Sequence, residues 1–226
     1  MRQRKTSPKI RQSSKDIVLL SLVALAVLSV FSMSLFSSLF GFAYGIDQYK
    51  KEFAKAEMRI DEQAAINASM NVIAFFQGEA SLDPAFFSGS EMSHLEDVRV
   101  LLQKARMIYV SSIVLFWSIV LCVFFFRRIE FPAFLTHVCL FSGILMVAVM
   151  VIFGALLLMD FDIVFIGFHK IFFTGNYAFD PAVSNMKAIY SDAFFMDAAA
   201  GIMVASLAKG VMAFVAGILL RKKIGR

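Results

Sequence analysis

At 226 residues, with 59% hydrophobic residues, 26 Phe and 13 Met, the chain is too apolar for a soluble domain, whose usual share is roughly 45–50%. Its net charge of +5 gathers at the termini and one short loop, which is a membrane-topology signal and not a nucleic-acid footprint. The two cysteines, Cys122 and Cys139, fall inside apolar runs, which excludes a disulfide framework or metal cluster and makes them small buried hydrophobes.

Residues 1–16 carry Arg2, Arg4, Lys5, Lys9, Arg11 and Lys15 and read as a mobile basic tail. Residues 17–40 carry no charge and are long enough to cross a hydrocarbon layer of ~30 Å. A cleaved signal peptide has an apolar core of only about 7–15 residues, so an uncleaved first span is expected, with no cysteine at its end to accept a lipid. From 45 to 106 the chain turns polar and acidic. Tyr49–Ile60 is helix-compatible, and Glu62–Gln77 has Ile66, Met70, Ile73 and Phe76 near helical spacing, ended by Gly78. Short strands are expected among the turns of 78–90, after which Glu91–Arg106 forms a helix that runs on into the second span, 107–126. The third span is 131–159, followed by Asp160-Phe161-Asp162 and a dense aromatic run over Phe165–Pro181. The fourth is 193–220.

The N-terminal tail, the Arg127-Arg128 turn and the Arg221-Lys222-Lys223 end are all basic, and an even number of spans puts all three on one side. By the positive-inside rule that side is the cytoplasm. The expected fold is therefore an all-α integral membrane protein, a single membrane domain over 17–226, with four transmembrane helices in an N-in/C-in arrangement. Segments 45–106 and 160–192 form a small, partly helical extracytoplasmic cap, and each has more acids than bases. Without an internal repeat, a duplicated transporter is unsupported.

Two of the three histidines fall at one expected depth on the outer side, His94 above the second span and His169 above the third. Helical spacing puts Glu91, His94 and Asp97 on one face, where a carboxylate is expected to orient the imidazole and favour its protonated form. Asp160, Asp162 and Asp180 are the acids nearest His169 in the chain. His137 reads as structural. Lys209, within the fourth span, is expected to pair with a lipid headgroup or His137, or to snorkel. Gly201 with Ala205 and Ala213 with Gly217 read as helix-packing positions. No Gly-x-Ser-x-Gly elbow or outer cysteine offers a nucleophile, and two histidines without His-Glu-x-x-His spacing do not make a zinc site, so no metal and no cofactor is expected.

His94-Leu-Glu-Asp-Val before the second span and Phe168-His169-Lys-Ile-Phe172-Phe173 with Phe179-Asp180 before the fourth resemble the bacterial lipoprotein intramolecular transacylase (Lit) family. Asn71 with Ile73, Phe75, Phe76 and Gly78 resembles its outer helix, and Phe194-Phe195-x-Asp197 the start of its last span. The likeness covers most of the chain after the first span, with Tyr177 where the family pattern has tryptophan and Ser191 where it has proline. It implies transfer of an acyl chain from the glycerol 2-oxygen of a diacylglyceryl lipoprotein to the α-amine of its N-terminal cysteine, at the outer face of the cell membrane.

On that resemblance His94 and His169 are the catalytic pair. Glu91, Asp97, Phe168, Phe172, Phe173, Tyr177 and Asp180 are supporting or substrate-binding residues. One imidazole would take the amine proton and the other, protonated, would stabilise the oxyanion, and the sequence does not assign the roles. The expected partners are membrane lipids and the lipoprotein substrate, with no nucleic acid. The sequence leaves the oligomeric state open. Two other readings are a non-catalytic membrane scaffold or lipid-binding subunit, and an outer-face lipid hydrolase.

Overall fold

The computed structural model describes residues 8–55, 58–173, 175 and 177–224, and side chains from Asp16 onward. Its elements are α1 (Pro8–Ala43), α2 (Ile46–Phe53), α3 (Glu62–Gln77), α4 (Gly89–Phe126), α5 (Phe131–Met159), α6 (Phe161–Phe172), α7 (Asn185–Ile189) and α8 (Asp192–Ile224). Helices α1, α4, α5 and α8 are long and apolar enough to cross a membrane, so the chain is an all-α integral membrane protein with four such helices among the described residues. Two compact units make up the chain, and each of the four long helices contributes to both.

The first unit takes in residues 1–34, 109–148 and 207–226. Its core is Val23, Ala26 and Val27 of α1, Ile119 and Val123 of α4, and Phe134 and Val138 of α5. Here α5 and α8 approach closely because glycine permits it. A β-carbon on Gly143 would stand 2.7 Å from the Gly210 carbonyl oxygen, and one on Gly217 2.8 Å from the Leu140 backbone nitrogen. Gly217 is thus a packing position as its spacing implied. Gly201 has open space beside it, and Gly143 and Gly210 carry the rest of that contact.

Lys209 donates to the Ser34 carbonyl oxygen at 3.3 Å, a backbone contact between α8 and α1. Cys122 is exposed and Cys139 half-buried, so the expectation that both are buried is corrected. Within an apolar span, an outward position faces hydrocarbon and tolerates cysteine as well as the core does. The N-terminal tail is helical from Pro8, while residues 1–7 lie outside the described residues.

The second unit takes in residues 35–108 and 149–206. Its core joins Tyr49 and Phe53 of α2, Ala65, Ile66, Val72, Ile73 and Phe75 of α3, Leu95 of α4, and Ile189, Tyr190 and Phe194 around α7 and the start of α8. The buried face of α3 runs Ala65–Ser69–Val72, so Met70, expected in the apolar stripe, is 54% exposed instead. Asp61 opens α3 by accepting from the Ala64 amide at 3.1 Å. Gly78 closes it at φ 84°, in the left-handed region that favours glycine.

No strand forms between 78 and 90. Asn71 occupies that backbone instead, donating to the Ser81 carbonyl at 2.8 Å and accepting from the Asp83 amide at 3.0 Å. These side-chain bonds replace the ladder a strand would need. The aromatic run after the third span begins within α6, as far as Phe172, and Asp160 caps that helix by accepting from the Ile163 amide at 2.9 Å.

Candidate active site

Every residue of the site belongs to the second unit. His94 comes from the charged N-terminal part of α4, before the apolar stretch of that helix, and His169 from the last turn of α6. The start of α4 is a capping box: the Glu91 amide donates to Ser88 Oγ at 3.3 Å, and Glu91 Oε2 accepts from the Ser88 amide at 2.7 Å.

Glu91, only 2% exposed, is hydrogen-bonded to Ser88, Ser184 and Met186 and not to His94. Its Oε1 accepts from Ser184 Oγ at 2.5 Å and from the Met186 amide at 2.8 Å. Burial alone would raise this carboxyl, but the bonds from Ser184, Ser88 and Met186 hold it below the usual carboxylate range. Glu91 therefore ties the start of α4 to the 184–187 turn rather than orienting the imidazole. The same turn is held by Arg59, donating to the Ser184 carbonyl at 3.0 Å, and by Asn185, donating to the Phe86 carbonyl at 2.7 Å.

The two imidazoles lie with ring centroids 6.0 Å apart and planes 20° from parallel. Both are buried, at 6% and 7% exposure. Phe173 touches both rings, at 4.9 Å from His94 and 5.3 Å from His169. Phe179 lies 5.7 Å from His94. Around His169 stand Phe165 at 4.2 Å, Tyr177 at 5.3 Å and Phe168, edge-on, at 5.5 Å. Tyr177 thus puts an aromatic ring on the histidine where the family pattern has tryptophan. Ser191, at the proline position, accepts from the Phe194 amide at 3.2 Å and caps α8. Phe172 packs against Phe168 at 4.9 Å with the rings tilted by 44°, one ring removed from the imidazole.

Of the carboxylates near His169 in sequence, two are spent on backbone and one is exposed. Asp160 caps α6, Asp162 is exposed, and Asp180 accepts from the Ala182 amide at 2.9 Å. Three residues outside the expected site set complete the setting. The Phe165 carbonyl accepts from His169 Nδ1–H at 2.7 Å, as an i−4 neighbour on α6. Lys187 sits with its ammonium 5.4 Å from the centre of the Phe165 ring and is paired with Asp192. Phe179 was visible only as part of a motif. The i−4 spacing of Phe165 and His169 was the one available signal, and it required knowing that this aromatic run is helical.

Electrostatics reverse one expectation. Burial pushes His94 down to about 4, His169 adds to the effect, and the exposed Asp97 carboxylate opposes it without prevailing. Burial also lowers His169, against the Phe165 bond that favours its charged form, and Lys187 lowers it further. The charged imidazole is disfavoured at both positions because dry aromatic surroundings outweigh the Asp97 carboxylate at His94 and the Phe165 bond at His169.

Both rings are therefore neutral near pH 7. Donation from His169 Nδ1–H fixes the tautomer and leaves the Nε2 lone pair available. His94 Nδ1 is buried with no hydrogen-bond partner among the described residues. Leaving such a group unpaired costs about 1–3 kcal/mol, which a bound polar group would recover. No cluster of three or more potential metal ligands occurs among the described residues. A separate small cleft lined by Glu52, Phe53, Lys55, Phe194 and Asp197 contains neither histidine.

Solved structures of a membrane enzyme are similar to this one. The in meso structure of the membrane integral lipoprotein intramolecular transacylase Lit from Bacillus cereus matches with a TM-score of 0.81 at 18% identity, over 92% of this chain and 98% of that one. Two further structures of the Bacillus cereus protein, with one histidine replaced by arginine or by alanine, match at TM-scores of 0.78 and 0.77, also at 18% identity. They cover 96% and 94% of this chain and 98% of theirs. No curated protein matches the sequence. The family model described as lipoprotein intramolecular transacylase Lit matches residues 17–195. With most of its length inside that match, the chain belongs to the Lit family, and it is a membrane-integral acyltransferase.

Proposed function

We propose that the protein moves one acyl chain within a single lipoprotein, from the glycerol 2-oxygen of its diacylglyceryl group to the α-amine of its N-terminal cysteine, at the outer face of the membrane. The observation that carries this reading is the His94–His169 pair. Two neutral, buried imidazoles stand 6.0 Å apart in an aromatic shell, so one reacting group placed between them can touch both. The distribution of basic residues supports an N-in/C-in arrangement and hence a site on the extracytoplasmic side.

The reaction needs no nucleophile from the enzyme. The substrate's α-amine, with an ordinary pKa of about 7.7–8.0, is partly free base at neutral pH. Its nitrogen attacks the ester carbonyl carbon, forming the C–N bond, while His169 Nε2 takes the proton the nitrogen loses. The neutral N–H of His94 donates to the oxyanion, a role its strong preference for the neutral form suits. On collapse the C–O bond to glycerol breaks, and the His169 imidazolium returns its proton to the glycerol oxygen. The His169 Nδ1–H bond to Phe165 favours that transient charge. Atoms balance within one molecule, and the tether supplies proximity. Phe165, Phe168, Phe173, Phe179 and Tyr177 exclude the water that would hydrolyse the ester.

An isotope experiment tests the direction of transfer. A diacylglyceryl lipopeptide deuterated only in its 2-acyl chain is incubated with the purified protein. All of the label should appear on the cysteine nitrogen, with total mass unchanged. Deuterated free fatty acid as the product would instead establish a hydrolase.

A further inference from the structure

Helix α6 has twelve residues, about 18 Å at 1.5 Å per residue, too short to cross a hydrocarbon layer of ~30 Å. Apart from Asp162, His169 and Lys170 its residues are apolar or glycine, and its two faces differ. Phe165 and His169, four residues apart, turn toward the site. Ile163, Gly167 and Ile171, also four apart, turn away, with Ile163 at 70% and Ile171 at 77% exposure. A β-carbon on Gly167 would meet nothing within 4 Å, so among the described residues nothing packs on the middle of this stripe.

The exposed apolar surface also continues from the preceding helix. The last turn of α5 carries Leu156, Leu158 and Met159 at 48%, 89% and 82% exposure, on a helix apolar enough to cross the membrane. Only Asp160 separates it from α6, and that carboxylate is engaged by the Ile163 amide. Lys170, exposed near the end of α6, supplies the cation that favours an anionic lipid headgroup. An apolar strip of this kind is unfavourable in water, by ~25 cal/mol per Å².

We propose that α6 lies in the plane of the bilayer interface, with Ile163 and Ile171 among the lipid acyl chains and His169 on the face turned away from them. The helix then acts as a ledge at the level of the lipid ester groups. Phe168 and Phe172, half-exposed at 43% and 51%, lie on the flank between the two faces and form the edge around which an acyl chain reaches His169. The placement of α6 is independent of which acyl reaction the site performs.

The test uses the full chain in phosphatidylcholine vesicles. Trp117 is the single tryptophan, so Trp117→Phe gives a silent background for Ile163→Trp and Ile171→Trp, introduced separately. Lipids brominated near the top of the acyl chain should quench most of the emission from both, and lipids brominated at the chain end should quench distinctly less. Glu79→Trp, on an exposed polar turn, should respond to neither. Retained acyl transfer in each variant certifies folding, and two positions guard against the loss of one. Quenching by aqueous acrylamide in place of bromolipid would overturn the proposal in favour of a water-facing helix. Shielding from both quenchers would overturn it in favour of a contact with a second copy.

Discussion

At the scale of single residues, the protonation state of His94 is the sharpest consequence of the fold. Its ordinary value of 6.5 falls to about 4 through burial. Between these values the unfolded chain binds the proton and the folded chain does not. The stability contribution is therefore complete above about pH 6.5 and lost as pH falls toward 4. Apparent melting temperature in detergent should thus decline from pH 7 to pH 5, a window above the carboxylate range. His94→Gln should flatten that decline. An equal slope in the variant would show that His94 is hydrated and ordinary. The sequence placed two histidines and an adjacent carboxylate but predicted the opposite charge state. Spacing along a helix is legible, whereas the dryness of Phe173 and Phe179 around the ring arises from residues some eighty positions away.

At the scale of elements, Glu91 links two segments that are 93 residues apart in the chain. Glu91→Gln keeps the shape but turns a donor toward Ser184 or the Met186 amide. We expect a loss of about 1–3 kcal/mol of stability, read by denaturation, and a parallel loss of activity as the 184–187 turn loosens. Glu91→Gln that melts like wild type would remove the strut role. The helices themselves were largely legible: Glu62–Gln77 and Phe131–Met159 have the bounds that their periodicity and charge limits give. What escaped was α6, because its few polar residues, Asp162, His169 and Lys170, do not mark a single polar face that would reveal its period. The strands expected in 78–90 failed because Asn71, ten residues before its partner Ser81, captures that backbone.

At the scale of the whole molecule, four apolar helices of sufficient length were plain from composition. The sidedness of the chain rests on its basic residues. With Cys122 and Cys139 replaced by alanine, a cysteine at Glu79 should react with an impermeant maleimide in intact cells. One at Arg128 should react only after permeabilisation. Both positions are exposed, so the opposite pattern would invert the topology and move the site to the cytoplasmic side.

The central claim is that His94 and His169 act together on one tethered substrate. It is tested most directly by mass spectrometry of a diacylglyceryl lipopeptide incubated with wild type, His94→Gln and His169→Gln. The account predicts an N-acylated lyso product of unchanged mass from wild type, and a loss of about 10²–10⁴-fold in the rate of its formation in each folded variant. Product formed at the wild-type rate by either variant would contradict it.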